Sequence, residues 1–424
     1  MWFNKKDLTI KPIININNLY GYVLPHAGTS YTGQIISHTL RFRPTKTINK
    51  IIILYYPASD TPDINIDTPD GTTLSYYHEY YVPWKSIDCI FSNNKYNIPN
   101  SNNILYEGYN IKDIYTTELK IDKIIKSFNL EDTLIVVSSD FSHFLPFNEA
   151  RELENKAAHS LMFRELNNSP YINIVDDVKT YEILYKIIPK QLQLQWIGRT
   201  RSPGKSGVGY LSFLLRDTKI PQVSVSVSVS VSVSVSVSNN TNLPDGIFIT
   251  AFDKNMNSRE CLGNWYTNNS SNRWSLENET ELKNKVIKLA QTTSRLTGGS
   301  NIEIPISNYT VTYLYKDKNK STMHNFIRGY HGILHNAFYL PEVFLENTFN
   351  NGTWIKNTDI MWQSGSTFNL TETFNQLNIK AGITKQKKKK TKMFHNTSIK
   401  SKKNTNNSTK YKLYSSNVIH YKIT

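Results

Sequence analysis

The sequence predicts a mixed α/β sheet flanked by helices, followed by an α+β unit and a basic tail. Three observations predict it. Continuous, β-branched apolar runs alternate with helical patterns up to about residue 222, as in parallel or mixed sheets buried on both faces. Eight Val-Ser copies at 223–238 then interrupt the pattern. After Glu372 there is no Asp or Glu, while twelve lysines follow Ile383. The organisation read from this is a first unit at 9–222, a linker at 223–242, a second unit at 243–383 and a disordered Lys/Asn-rich tail at 384–424.

In the first unit, KIIILYYP (50–57) and DTLIVVSSD (132–140) read as buried strands, being short, apolar and β-branched. NEARELENKAAHSLMFREL (148–166) and DDVKTYEILYKII (176–188) read as helices, with apolar residues at helical spacing and, in the second, acids at the start. In the Val-Ser repeat a period of two puts every Val on one face of an extended chain. It reads as a tolerated low-complexity expansion between units, part of which is free to dock as an edge strand. Beyond it, DGIFITAFD (245–253) and SNYTVTYLYKD (307–317) read as strands and SLENETELKNKVIKLAQTTS (275–294) as a helix. TFNLTETFNQLNIKAG (367–382) ends as a helix with Gly382 as C-cap.

Composition excludes several classes. The chain has 424 residues, 39% hydrophobic, enough for two cores. No run of about 18 apolar residues is present, which argues against a membrane span. MWFNKKDLTI lacks an apolar secretion signal. The two cysteines, Cys89 and Cys261, make neither a disulfide framework nor a thiolate metal site. A cytoplasmic setting is expected. The formal charge is +15, and most of it sits in the tail, so the folded part is close to neutral.

Three polar clusters follow apolar runs: PHAGTSYTG after YGYVL, YYPASDTP after IIIL, and SSDFSHF after LIVV. In open α/β sheets the crevice beyond the strand carboxyl ends is where ligands bind. His26, Asp60, Asp140 and His143 therefore form a candidate histidine–carboxylate set, suited to a metal ion or to acid–base work. Taken singly, each also suits a turn or cap; Asp140 is placed to cap the helix after it. Gly28 and Gly33 suit a turn and a close backbone approach.

PHAGTSYTG and VVSSDFSHF resemble two signature motifs of the Memo family, and IGRTRSPGKSGVGYLSFLL (197–215) resembles a later segment of that family and the helix after it. The resemblance implies a fold like the class III extradiol dioxygenases, with a metal-type pocket for iron, copper or zinc. It assigns His26 to the first ligand histidine, and Asp140 and His143 to the nearby acid–base pair. The departures are specific. Where the family carries a second histidine, this chain has Pro57-Ala58-Ser59-Asp60; where it carries a cysteine, this chain has Ile197. At most His26, Asp60 and His143 remain for a facial triad, and the pocket reads as degenerate or repurposed, with one metal ion or none.

GIFITAFDKNMNSRECLGNW (246–265), GYHGILHNAFYLPEVFLENTFNNGTW (329–354) and TETFNQLNIKAGI (371–383) resemble, in order, three segments of the AMMECR domain family. The resemblance implies an α+β unit without a settled reaction. Arg259, Cys261, His331 and Glu342 are candidates for one cleft. Cys261 would be nucleophilic if Arg259 depressed its pKa; a small apolar packing role is the commoner fate of such a cysteine.

The lysine runs at 385–392 and 400–412 suit weak, salt-sensitive polyanion binding or nuclear import. Three functions are thus expected in descending order: a binding or regulatory protein recognising a protein or small molecule through a degenerate metal-type pocket; a metal-dependent oxidoreductase or hydrolase; and a polyanion-binding adaptor acting through the tail.

Overall fold

The computed structural model describes residues 1–8, 13–91, 104–114, 118–167, 169–203, 206–218, 243–266, 273–292, 304–316, 326–327, 329–346, 349–350, 353–354, 377–378, 380–381 and 411–423. The first unit runs β1 (Ile14–Ile16), β2 (Leu19–Leu24), α1 (Thr29–Leu40), β3 (Phe42–Pro44), β4 (Lys50–Tyr55), β5 (Ile64–Asp67), β6 (Thr73–Tyr76), α2 (His78–Phe91), β7 (Leu105–Asn110), α3 (Ile111–Ile114), α4 (Glu118–Ser127), β8 (Thr133–Ser138), α5 (Phe147–Met162), α6 (Val178–Ile187), β9 (Leu192–Arg201) and β10 (Gly209–Asp217). The second runs β11 (Gly246–Asp253), β12 (Ser258–Trp265), α7 (Leu276–Thr292), β13 (Ile306–Lys316), β14 (His331–His335), β15 (Ala337–Tyr339), α8 (Val343–Glu346), β16 (Phe349–Asn350), β17 (Thr353–Trp354) and β18 (Lys412–Lys422). The protein is therefore mixed α/β.

The first sheet has the order β7-β4-β8-β2-β10-β9. Strands β7, β4, β8 and β2 are parallel, while β10 runs antiparallel to both its neighbours, β2 and β9. Alternation along the central strands splits their side chains between two cores. Val23, Ile52, Leu54, Ile135 and Val137 pack with α5 and α6; Leu24, Ile51, Ile53, Leu134 and Val136 pack with α1 and α2. Burial on both faces is why these strands read as continuous apolar runs. Gly33 in α1 lets the N-terminal segment lie close, because a Cβ there would stand 2.7 Å from the Asp7 carbonyl oxygen.

The segment resembling a family stretch with a helix forms two antiparallel strands instead, β9 and β10. Both are buried almost throughout; Leu211, Phe213 and Leu215 fill one core and Leu214 the other. Ile197, at the position of the family's cysteine, is fully buried among apolar side chains.

The second sheet is antiparallel, in the order β12-β11-β13-β18-β14-β15. Helix α7 covers one face through Leu282, Val286 and Ala290, against Ile247, Ile249, Val311 and Ile419. The tail expected to be disordered thus supplies an interior strand: β18 pairs with β13 on one side and β14 on the other. Its sequence, KLYSSNVIHYK, buries Leu413, Val418, Ile419 and His420, and the composition of the surrounding lysine-rich stretch masks this β-forming pattern. The boundary expected at 383 is corrected accordingly. The Val-Ser repeat, the lysine runs of 385–410 and Gly382 lie outside the described residues. Among the described residues no helix is long and apolar enough to cross a membrane.

Strand β18 also joins the two units. The Gln193 side chain on β9 imitates a strand edge: its Nε2 donates to the His420 carbonyl at 2.9 Å, and its Oε1 accepts from the His420 amide at 2.8 Å. His420 Nε2 meets the Leu194 carbonyl at 3.1 Å. Arg216 reaches Gln195 at 2.5 Å and the Ser416 carbonyl at 3.4 Å. Burial, with His159 nearby, pushes the His420 imidazole down to about 3.

Two outcomes follow. Ile419→Ala should cost about 2–5 kcal/mol in urea denaturation, the range for emptying a buried isoleucine site, and removal of residues 411–424 should abolish cooperative unfolding of the second unit. Above about pH 6.5 His420 is neutral in folded and unfolded chains; below it only the unfolded chain takes up the proton. Wild-type stability should therefore lose up to roughly 1.4 kcal/mol per pH unit from this group as pH falls toward 4, and His420→Gln should lack that component.

Candidate functional site

Parallel pairing brings Leu24 of β2 opposite Ser138 of β8, so the segments after these strands leave the sheet side by side. Asp140 Oδ1 accepts from the His26 amide at 2.9 Å. Ser138 Oγ donates its single proton to the Glu79 carbonyl at 2.5 Å and so accepts from His26 Nδ1 at 3.0 Å. That assigns a proton to Nδ1. His26 Nε2 faces Asp176 Oδ2 at 3.2 Å and Asp140 Oδ2 at 3.7 Å. Burial disfavours the imidazolium, but Asp140, Asp176 and Glu79 together outweigh it and raise the pKa of His26 to about 9. Burial raises Asp140, against the pull of His26; burial also raises Asp176, but its hydrogen bond and charge pairing with His26, with His143 and His78 adding, bring it below the ordinary value. His26 is thus a buried cation between two carboxylates.

The structure places the sequence-derived candidates unevenly. His26 and Asp140 meet. His143 lies at the mouth, its Nε2 3.9 Å from Asp176 Oδ1. Asp60 does not join them: its side chain is 96% exposed and pairs with Lys112 at 3.1 Å, because the chain after β4 turns outward over β5 and β6. Instead, the start of α2 supplies His78 and Glu79. His78 Nδ1 lies 2.7 Å from Asp63 Oδ2 and 3.4 Å from Glu79 Oε2, and its ring meets that of His26 edge-on at 5.4 Å. Among the described residues, Asp63, His78 and Glu79 form the one group of three whose ligand atoms lie within 4.8 Å of one another. Trp2 stacks on His78 with ring centres 4.1 Å apart, held there as the Thr29 amide donates to its carbonyl at 2.9 Å.

Asp176, His78, Glu79 and Asp63 were not singled out from sequence. Asp176 stands beside Asp177, and the pair read as helix-start acids; only Asp177 caps α6, accepting from the Lys179 and Thr180 amides. Helix α2 carries Pro83 inside it and aromatic residues through it, which weakens a helical reading. The adjacent His-Glu pair at its start was the available signal.

The loop after β8 is clamped from two sides. The Phe141 amide donates to the Gly209 carbonyl at 2.9 Å, and the Gly209 amide to the Ser142 carbonyl at 2.8 Å. Ser142 Oγ donates to Glu154 of α5, whose other oxygen takes Arg199 Nη2 at 2.5 Å; Arg199 Nη1 reaches Asn155 at 2.7 Å. Gly209 leaves room for this clamp, since a Cβ there would displace the Glu154 carboxylate.

In the second unit, Cys261 and Glu342 line a common cavity between the units; Arg259 and His331 do not line it. Burial pushes the Cys261 thiol up to about 11, the opposite of what a nucleophile requires. His331 Nδ1 accepts the Ile327 amide at 3.0 Å, which fixes the turn entering β14.

A scan against protein-family models finds none that matches the chain, and a search of curated proteins finds no match.

Removing one member of the buried Glu154–Arg199 pair should leave the other uncompensated. Glu154→Ala should cost about 3–5 kcal/mol in urea denaturation, and the double variant Glu154→Leu/Arg199→Met should recover most of it; a single-variant cost below about 1 kcal/mol would show that the clamp is solvated.

Proposed function

We propose that the chain joins a Memo-like unit to an AMMECR-like unit and works as a binding protein whose first pocket takes one zinc or iron(II) ion through Asp63, His78 and Glu79. The observation that carries this is the convergence of their ligand atoms within 4.8 Å, beside a second histidine. One imidazole and two carboxylates suit a borderline divalent ion, and the absence of thiolate disfavours copper(I). Such an ion, when bound, supplies a Lewis acid for an oxygen atom of a ligand. Asp63 also accepts from the His78 amide at 2.9 Å and Glu79 from the Ala58 amide at 2.7 Å, which orients both carboxylates.

A second reading, a hydrolase or oxidoreductase using the same pocket, draws on the placement of His26 between Asp140 and Asp176. That arrangement holds a proton at Nε2 next to the donor set, with His143 at the opening. The lysine runs at 385–403 add weak polyanion attraction; deleting those residues, and not the strand-forming 412–422, isolates that contribution.

Elemental mass spectrometry on protein purified without a metal-binding tag tests the reading. About one zinc or iron per chain is expected, lost in His78→Ala and Asp63→Asn and kept in Asp60→Ala. Folded protein without metal, or metal that survives His78→Ala, overturns it.

A further inference from the structure

A cavity of about 830 Å³ lies between the two units. Helix α5 forms one wall, the face of the second sheet opposite α7 forms another, and the segment from Phe338 to Glu346 closes a third side. The volume suits a small molecule of amino-acid to nucleoside size.

Its chemistry is one-sided. Phe248, Trp265 and Phe338 form a continuous aromatic wall, with ring centres 5.0 to 5.6 Å apart. Four glutamates face the cavity against two lysines, in a protein whose overall charge is +15. Both lysines already hold partners: Lys156 bonds Glu152 at 3.0 Å, and Lys380 bonds the Phe338 carbonyl at 2.8 Å. His159 pairs with Glu346 at 3.2 Å. The Oε2 of Glu342 is buried and has no hydrogen-bond partner among the described residues. A buried carboxylate oxygen without a donor is costly, and aromatic faces attract cations.

We infer that this cavity binds a small organic amine, its ammonium group paired with Glu342 and its apolar body against Phe248, Trp265 and Phe338. The ligand supplies the donor that the described residues do not. Burial lifts the Glu342 carboxyl to about 7, which an arriving ammonium would reverse. Cys261 stays a neutral thiol in the wall, and His420 stays neutral through burial, so neither competes as a charge. The inference is independent of the reading proposed for the first pocket.

Isothermal titration of the full chain with phenethylamine, 3-phenylpropionate and 2-phenylethanol tests it. Phenethylamine should bind saturably and at least about tenfold more tightly than 3-phenylpropionate, the factor one charge-assisted contact supplies. Glu342→Gln should weaken phenethylamine by about tenfold and leave 2-phenylethanol unchanged, while Phe338→Leu should weaken both and His26→Ala neither. Thermal unfolding confirms that each variant is folded; should Glu342→Gln fail to fold, wild-type affinity for phenethylamine should rise between about pH 5.5 and 8 as Glu342 ionises. Equal binding of 3-phenylpropionate, insensitivity to Glu342→Gln, no pH dependence, or no saturable binding of phenethylamine to folded wild type overturns the inference.

Discussion

The interior position of β18 is the constraint on which the second unit depends. An antiparallel sheet can be extended at an edge at little topological cost, but here the last strand of the chain sits between β13 and β14. Without it, β14 and β15 have no partner in the main sheet and Ile419 leaves the core under α7. The pairing closes a long loop, so its backbone hydrogen bonds and apolar contacts must offset that entropy. The same strand carries Ser416 and His420 to the first unit, where Gln193, Leu194 and Arg216 receive them. One strand therefore completes a sheet, fixes an interface and lines the inter-unit cavity through Val418 and His420.

The first pocket follows a different logic. Its residues come from five places in the chain: the ends of β2 and β8, the residue before β5, the start of α2, and the turn before α6. Parallel pairing fixes only the first two. The others are registered by backbone groups: the Ser138 hydroxyl bridges the His26 ring and the Glu79 carbonyl, and the Asp176 amide donates to the Asp140 carbonyl at 3.2 Å. The electrostatics are self-consistent, since one buried acid, Asp140, and one partly exposed acid, Asp176, stabilise the buried His26 cation. His26 spends its proton-bearing nitrogens on Ser138 and the aspartates, while His78, one ring away, is the histidine whose Nδ1 faces Asp63 and Glu79. The two imidazoles thus meet edge-on, with ring centres 5.4 Å apart, and face different sets of acids.

What the sequence disclosed follows from the range of each signal. The strands at 50–57 and 132–140 and the helices at 148–166 and 176–188 were legible because burial period is a local property of the chain, and they correspond to β4, β8, α5 and α6. His26 and Asp140 were legible because each follows its strand by two residues. Asp60 lies five residues past the end of β4, and it points to solvent and to Lys112; strand order brings the ends together, but loop length and direction decide which side chain turns inward. His78 and Asp63 are joined by the β5–β6 hairpin, a tertiary fact with no signal at either residue. The tail misled for a compositional reason, its lysines outweighing eleven residues of strand-forming pattern.

Helix α5 makes the two units less separable than their motifs suggest. Near its middle, Glu154 and Asn155 hold Ser142 and Arg199, and so fix the loop that carries Asp140 and His143. One turn later His159 pairs with Glu346 and stacks edge-on against Phe252 at 4.8 Å, while Phe163, just past the helix end, packs with Phe252 and Met256. A rigid helix of 16 residues therefore bears on the floor of one pocket and on the wall of the other. Two modules joined only by a Val-Ser segment would each complete their own surface. Here the second sheet leaves Phe248, Thr250, Thr312 and His420 on a face that α5 of the first unit helps to cover, so the cavity exists as a property of the pair. The boundary drawn by motif resemblance separates segments of sequence, whereas the burial of His420 and Phe252 shows that the folded protein has its most demanding contacts across that boundary.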